Sequence, residues 1–127
     1  MSYAYDDQNI FAKILRGEIP NDTVLETEHS LAFRDIHPQA PVHVLVIPKG
    51  AYVSFDHFAQ DASADEIVDF TRVIGQVCQT ENVCPVDGHD GYRLLSNTGV
   101  AANQEVPHMH MHLVGGRPLG RILPLAE

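Results

Sequence analysis

The sequence predicts a single α+β domain built on a five-stranded, mostly antiparallel sheet with two helices. A length of 127 residues is typical of one domain. Along the chain, apolar residues follow helical or strand spacing in the order helix, three strands, helix, two strands. Short connections between these segments favour antiparallel neighbours. No repeat or linker divides the chain, so residues 1–127 are expected to form one domain, with residues 1–8 and 117–127 as its tails.

The first half of the chain predicts one helix and three strands. Asp7 can cap a helix over residues 7–16, and Gly17 suits its end. Residues 23–27 and 31–36 have the composition of two strands separated by a polar step. A loop made rigid by two prolines then precedes a strongly β-forming segment at residues 42–48.

The second half predicts a long helix and two strands. After a loop, Ser63 and Glu66 have the spacing of a capping box. The apolar residues behind it keep helical spacing, and Pro85 ends the pattern. Residues 92–96 and 105–114 are the two remaining predicted strands.

Composition excludes several classes of function. Eight Lys and Arg against 17 Asp and Glu give a net charge of −9, which would repel nucleic acid. No apolar run approaches the ~18 residues that a membrane span requires. The acidic start of the chain is unlike a targeting peptide, and Cys78 and Cys84 lack metal-binding spacing. We therefore expect a cytoplasmic protein that binds neither nucleic acid nor membranes.

Three histidines alternate with apolar residues near the end of the chain, in the segment PHMHMHL at 107–113. Alternate side chains of a strand share one face, so His108, His110 and His112 are expected to point the same way. The apolar residues between them would then face the core. The pattern predicts a surface or cleft that is lined by imidazole rings.

This histidine pattern has three interpretations. The first is the solvated outer face of a half-buried strand. The second is a metal site, but Cα atoms two residues apart lie ~6.6 Å from each other and the outer pair ~13 Å apart. Two histidines could share an ion only with a ligand from elsewhere, for example His43. The third is a nucleophilic histidine flanked by helpers. The motif alone leaves all three open.

Several other blocks accompany the histidines in a fixed order. They are NIFAKI at 9–14, GEIP at 17–20, LAFRDI at 31–36, PQAPVH at 38–43, VIPK at 46–49, DGYRL at 90–94, Asn97, QEV at 104–106 and GGR at 115–117. Together with the histidines, they resemble the histidine triad (HIT) family, and within it the Hint branch of nucleotide-binding proteins. The resemblance covers nearly the whole chain.

The resemblance implies a hydrolase that binds purine nucleoside monophosphates and cleaves bonds from the α-phosphate to an amine or acyl group. Its small-molecule partners would be AMP or GMP conjugates. His110 would be the nucleophile, with His43, His108, His112 and Asn97 along the phosphate. The other nucleotide-binding residues that it implies are Asp35 at the ribose, Ile10, Phe11, Ile14 and Phe33 at the base, and Asn103, Gln104 and Glu105 before the histidines.

The residues themselves are compatible with these roles. Phe33 and Asp35 share one face of a predicted strand, so an apolar wall leads to a carboxylate that can accept hydrogen bonds from both ribose hydroxyls. Core packing is the competing explanation for the aromatic residues, and a strand-end role is the competing explanation for Asp35.

A two-step displacement follows from these assignments. Nε2 of neutral His110 attacks phosphorus, provided that a backbone carbonyl holds its Nδ1 proton. His112 acts as general acid towards the leaving group, and water then cleaves the nucleotidyl-histidine. The chain lacks the P-loop and Gly-x-Ser-x-Gly motifs. No cofactor is expected, and any bound zinc would be non-catalytic.

The chain departs from the family pattern at several positions; among them, Glu105 replaces a phosphate-facing serine and Asn103 replaces a frequent glycine. Asparagine tolerates a left-handed φ, which would preserve the loop. The resemblance also implies a two-fold homodimer, formed through the long helix and a sheet edge. The alternative functions are a dinucleoside polyphosphate hydrolase of the same superfamily and a nucleotide-binding regulatory protein with incidental turnover.

Overall fold

A computed structural model describes residues 3–124, so residues 1–2 and 125–127 of the predicted tails lie outside it. The elements in chain order are α1 (Ile10–Leu15), β1 (Thr23–Glu26), β2 (Ser30–Arg34), β3 (Val42–Pro48), α2 (Phe55–Asp61), α3 (Ala64–Thr80), β4 (Tyr92–Leu95) and β5 (Met111–Gly115). Two short 3₁₀ turns lie at Pro85–Asp87 and Val100–Ala102. Within the described residues, no helix combines the length and apolarity needed to cross a membrane.

The five strands form one sheet in the order β1-β2-β3-β5-β4, and all four pairings are antiparallel. This confirms the predicted fold class. β3 lies at the centre, where Leu45 pairs with Phe33 of β2 on one side and with His112 of β5 on the other. The sheet therefore brings the predicted base-binding residue Phe33 and the histidine strand to either side of one buried leucine.

Each face of the sheet carries an apolar cluster. The larger cluster includes Val44, Val46 and Leu113 and packs with buried residues of α3. The smaller one lies on the other face, where Phe11 of α1 packs with Phe33 and its neighbours. Because β3 contributes to both clusters, its sequence is almost continuously apolar.

Side-chain caps set the helix starts. Asn9, and not Asp7, caps α1, because its side chain accepts a hydrogen bond from the backbone N–H of Ala12 at 2.9 Å. The capping box of Ser63 and Glu66 begins α3 as predicted. A helix that the sequence did not predict, α2, follows Ser54 as its cap in the segment that was expected to be a loop.

The last strand is shorter than predicted, because β5 begins at Met111 and not at residue 105. Upstream of it the backbone bonds to loops. The N–H of Met109 donates to the carbonyl of Tyr52 at 2.7 Å, and the N–H of His108 donates to the carbonyl of Val106 at 2.8 Å. Pro107 has no N–H to give. Strict strand alternation therefore does not extend back to His108.

Candidate active site

Three histidine rings meet where β3 and β5 run side by side. The ring centroids of His110 and His112 lie 5.1 Å apart, and those of His112 and His43 lie 5.2 Å apart. The cross-strand pairing of β3 with β5 brings His43, almost 70 residues away in the sequence, beside His112. The structure thus joins three of the four predicted catalytic histidines into one cluster.

Backbone contacts fix the tautomer of His110. Its Nδ1 lies 2.7 Å from the carbonyl oxygen of His108, which can only accept a hydrogen bond. Nδ1 therefore carries the proton, and Nε2 keeps its lone pair. The Ser96 hydroxyl donates to the carbonyl of His110 at 2.7 Å, and the ring of Phe11 meets the His110 imidazole edge-on at 5.0 Å. His110 has the orientation and tautomer that a nucleophile needs.

A chain of hydrogen bonds determines which ring nitrogen carries the proton in His43 and in His112. The backbone N–H of Gln39 donates to Nδ1 of His43 at 3.0 Å, so the proton of His43 is on Nε2. That proton is donated to Nδ1 of His112 at 2.9 Å. The proton of neutral His112 is therefore on its Nε2, where it is a donor beside His110.

The structure differs from the expected row of three cleft-facing rings at His108. Its side chain is fully buried, and Nε2 lies 2.8 Å from the carbonyl oxygen of Pro48. Its Nδ1 lies 2.6 Å from the hydroxyl of Tyr5. With both ring nitrogens bonded inside the protein, His108 does not line the cleft beside His43 and His112. The cause is the late start of β5.

Burial keeps these histidines neutral. Burial lowers the pKa of His108 to about 4, with a smaller contribution from His110. Burial also lowers the pKa of His112 to about 4, assisted by His110 and His43 and opposed by Asp35. For His110, burial lowers the pKa against the hydrogen bond to the His108 carbonyl, and for His43 it does so against the charge of Asp35. An unprotonated nucleophile is therefore available at neutral pH.

Asp35 follows β2 directly and lies against the histidine cluster. One carboxylate oxygen accepts from the backbone N–H of His37 at 2.8 Å, and the other lies 3.4 Å from Nε2 of His43. Asp35, His43 and His112 offer three possible metal-ligand atoms within 4.8 Å of one another. The Gln39 bond opposes such a site, because His43 would have to lose it before Nε2 could present a lone pair to an ion.

An open cleft of about 310 Å³ lies over His43 and His112. Its lining also includes Asn97 and two arginines, Arg93 and Arg117. Arg93 donates to the carbonyl of Gly120 at 2.6 Å, and Arg117 donates to the carbonyl of Gln39 at 2.9 Å. The cleft therefore concentrates positive charge and hydrogen-bond donors in a protein whose net charge is −9.

The predicted base-binding residues lie together on the other side of His110. Phe11 and Phe33 are buried and meet edge-on, with ring centroids 5.5 Å apart. Ile14 packs against their cluster, while Ile10 is 50% exposed at the start of α1. The aromatic pair forms an apolar wall, and Ile10 is the most solvent-exposed of the four predicted base-binding residues.

The segment before the histidines is held by one side chain. Gln104 accepts a hydrogen bond from the N–H of Gly99 at 3.0 Å and donates to the carbonyls of Val53 and Val106 at 2.7 and 3.0 Å. Asn103 has the left-handed φ of 56° that its sequence position suggested. Glu105 is exposed, and its charge acts to raise the pKa of His110 against the dominant effect of burial.

Comparison with known proteins agrees with this geometry. The HIT domain matches residues 16–119, which include every element from β1 to β5. The chain belongs to the HIT family. It is 54% identical over 123 residues to an uncharacterised HIT-like protein of Azospirillum brasilense, covering 97% of this chain and 98% of that protein. It is 42% identical over 120 residues to a purine nucleoside phosphoramidase of Escherichia coli strain K12, covering 92% and 94%.

Solved structures of HIT proteins have the same fold. A HIT family hydrolase from Clostridium thermocellum superposes with a TM-score of 0.82 at 36% identity, covering 93% of this chain and 99% of that one. A histidine triad protein from Clostridium difficile superposes with a TM-score of 0.78 at 34% identity, covering 98% and 100%. The five-stranded antiparallel sheet with its helices is therefore the HIT fold.

Sequence reasoning missed four residues that shape this HIT site. Gln39, Arg93 and Arg117 belong to blocks that were noted only for their resemblance, yet they fix His43 or line the cleft. The position of Arg93 on a strand beside the histidine strand was a usable signal for the cleft. Tyr5 lies outside the matched residues, and no spacing in the sequence connects it with His108.

Proposed function

We propose that this HIT protein is a purine nucleotide hydrolase that cleaves nucleoside 5′-phosphoramidates and acyl-nucleotides such as aminoacyl-adenylates. The reaction passes through a nucleotidyl-His110 intermediate and yields the nucleoside monophosphate. The observation that carries the proposal is the hydrogen bond from Nδ1 of His110 to the His108 carbonyl, which leaves a lone pair on Nε2. The similarity to a phosphoramidase supports the choice of bond.

In the first step, Nε2 of His110 forms a bond to the α-phosphorus while the bond from phosphorus to the leaving nitrogen breaks. The nitrogen needs a proton to leave, and His112 supplies it from Nε2. A bound phosphate anion, together with Asp35, favours proton uptake by His112 and so offsets the effect of burial on its pKa. The added proton goes to Nδ1, which ends the hydrogen bond from His43 and leaves the Nε2–H of His43 to Asp35, 3.4 Å away. His112 therefore enters the step as an acid.

In the second step, water attacks phosphorus, and the bond from phosphorus to His110 breaks. His112 takes back a proton from the attacking water, which restores the starting state of the site. Negative charge on the phosphoryl oxygens is met by donors that line the cleft, including Asn97 and the guanidinium groups of Arg93 and Arg117. These local donors allow an acidic protein to bind a phosphate.

The flanking residues define the nucleotide side of the substrate. Asp35 lies beside the cluster with a carboxylate oxygen 3.4 Å from His43, where it can accept from the two ribose hydroxyls. The wall of Phe11 and Phe33, with Ile10 and Ile14 beside it, supplies the apolar surface that a purine base requires. Gln104 and Asn103 fix the conformation of the segment before the histidines, which lies beside the proposed phosphate position.

The proposed reaction uses no metal or other cofactor. Of the three possible ligands Asp35, His43 and His112, His43 would have to give up the bond from Gln39 before it could hold an ion through Nε2. Zinc at this position would occupy His112 and therefore compete with the proposed chemistry.

We also propose a homodimer in the cytoplasm. β4 is an edge strand of the sheet, and its Tyr92 and Leu94 are 46% and 40% exposed. The outer surface of α3 exposes Ile67 and Val68. Burying these apolar residues against a second copy would follow the dimer geometry of the family. Light scattering coupled to size exclusion measures the resulting mass.

Replacement of His110 tests the proposed function. We expect His110→Asn to reduce hydrolysis of adenosine 5′-phosphoramidate by at least ~10³-fold, because the ring lone pairs of His43, His108 and His112 all accept hydrogen bonds within the protein. His89→Asn is the matched control, since it makes the same change at an exposed loop histidine. Undiminished turnover by His110→Asn would refute the proposal.

The same preparation separates the alternative functions. A dinucleoside polyphosphate hydrolase would show a higher kcat/KM for diadenosine polyphosphates than for the phosphoramidate. A regulatory protein with incidental turnover would bind AMP tightly and cleave neither substrate at a useful rate. We expect the phosphoramidate to be the preferred substrate of the wild-type protein.

A further inference from the structure

The segment of residues 3–9 precedes α1 and lies across the protein surface near the histidines; we call it the N-terminal arm. The arm is attached at two tyrosines. Tyr3 stacks on His57 of α2 with ring centroids 4.1 Å apart, and its hydroxyl donates to Asp56 at 2.6 Å. Tyr5 reaches inward to His108. The arm lies outside the residues that match the HIT domain.

The contact between Tyr5 and His108 has a defined proton direction. The Pro48 carbonyl can only accept, so Nε2 of His108 carries the proton and donates it at 2.8 Å. Nδ1 of neutral His108 is then an acceptor, and the Tyr5 hydroxyl donates to it at 2.6 Å. Burial raises the pKa of Tyr5, which keeps this hydroxyl protonated. The imidazole of His108 is thus held at both nitrogens.

His108 in turn holds the proposed nucleophile. Its carbonyl oxygen accepts the Nδ1 proton of His110 at 2.7 Å, and this bond sets the tautomer that leaves Nε2 free. Movement of the His108 residue would therefore misalign the acceptor on which His110 depends. Two hydrogen bonds, through one intervening residue, connect the hydroxyl of Tyr5 with the imidazole of His110.

We propose that Tyr5 is a positioning residue for catalysis, acting through His108 on the orientation and tautomer of His110. This inference rests on the proposed function, because it assigns Tyr5 a role in that reaction. The N-terminal arm therefore completes the site, although it contacts neither phosphate nor base in the proposed reaction. A simple tether is the competing explanation, and it predicts that both tyrosines matter equally.

A pair of matched variants separates the two explanations. Tyr5→Phe removes the hydroxyl and keeps the ring, which meets the His108 ring edge-on at a centroid distance of 5.6 Å. Tyr3→Phe makes the same change on the same arm but loses only exposed bonds, the one that Tyr3 donates to Asp56 and the one that it accepts from Gln60. We expect Tyr5→Phe to lower kcat about tenfold, equivalent to ~1.4 kcal/mol, with KM within about twofold of wild type. Tyr3→Phe should retain wild-type kcat.

Steady-state kinetics with adenosine 5′-phosphoramidate provides the first readout. Equal kcat values for wild type and Tyr5→Phe would overturn the proposal, as would equal losses in both tyrosine variants or an effect confined to KM. Wild-type turnover is measured first. An inactive wild-type protein would refute the proposed function, whereas an active one with an unaffected Tyr5→Phe variant would refute only the role of Tyr5.

Nitrogen-15 NMR of the imidazole rings provides a second readout, and its measurement on the wild-type protein does not depend on the variant folding. In the wild-type protein we expect the Nε2–H tautomer at His108 and the Nδ1–H tautomer at His110. In folded Tyr5→Phe we expect a mixture of tautomers at His110. A wild-type His108 with its proton on Nδ1 would overturn the proposal, because Tyr5 could not then donate to it.

Discussion

Acidification should destabilise this protein well above the pH at which its carboxylates titrate. His108 and His112 are held neutral by burial, with a pKa of about 4 each. An unfolded histidine has a pKa of about 6.5. Between pH 6.5 and pH 4 the unfolded chain binds protons at these histidines and the folded chain does not, so the free energy of unfolding falls as the pH falls. Well above pH 6.5, where the unfolded histidines are also neutral, the same two groups contribute no pH dependence.

The expected magnitude follows from the two pKa values. For one such histidine, the change from pH 7.5 to pH 5.0 lowers the free energy of unfolding by about 2 kcal/mol, at 1.36 kcal/mol per pKa unit. His108 and His112 together therefore lower it by about 4 kcal/mol, a large share of the 5–15 kcal/mol typical of a domain. Burial acts to raise the pKa of Asp69, but hydrogen bonds from Thr27 and Ser30 lower it overall. Protonation of this carboxylate therefore destabilises the fold only at still lower pH.

Urea denaturation at a series of pH values, with the protein concentration held constant, measures this effect. The variant His112→Asn should lower the slope of unfolding free energy against pH by about 1 kcal/mol per pH unit near pH 5. His89→Asn, at an exposed position, is the matched control and should keep the wild-type slope. A wild-type stability that is flat from pH 7.5 to 5.0 would refute the claim that these histidines are held neutral.

Two further predictions concern the loop and metals. Gln104→Ala should lower kcat/KM about tenfold, because it removes the hydrogen bonds that join residues 99, 53 and 106. The neighbouring variant Glu105→Ala changes an exposed side chain and should leave thermal stability unchanged. Wild-type kinetics in Gln104→Ala would contradict the first expectation. Dialysis against EDTA should leave phosphoramidate turnover unchanged, and added zinc should inhibit it through His112. Activity lost on chelation and restored by zinc would contradict the metal-free reaction.

Much of the fold could be predicted because local patterns and tertiary packing agree. Apart from His43, β3 is continuously apolar because both of its faces are buried, and the capping box of Ser63 and Glu66 begins α3 where the sequence indicates. The start of β5 could not be predicted in this way. Alternation suggested a strand from residue 105, but upstream of Met111 the N–H of Met109 donates to Tyr52, which is distant in the sequence, and the N–H of His108 donates to Val106 two residues before it.

The candidate site was predictable in its residue types more than in its geometry. The histidine motif and the family resemblance selected His110, His112 and His43, which the structure gathers into one cluster. The burial of His108 depends on Tyr5 and Pro48, which lie 103 and 60 residues away in the sequence. No sequence pattern predicts either contact. Helix α2 was missed because its polar residues are typical of a loop, while a single buried Phe58 anchors it.

The most direct test of the account is the covalent intermediate on His110. Rapid-quench intact-mass spectrometry during turnover of adenosine 5′-phosphoramidate should show a species heavier by one AMP less one water, and peptide mapping should place the added mass on His110. The species should be absent from His110→Asn and present in His89→Asn. Full turnover by the wild-type protein without this adduct, or with the adduct on another residue, would contradict the central claim.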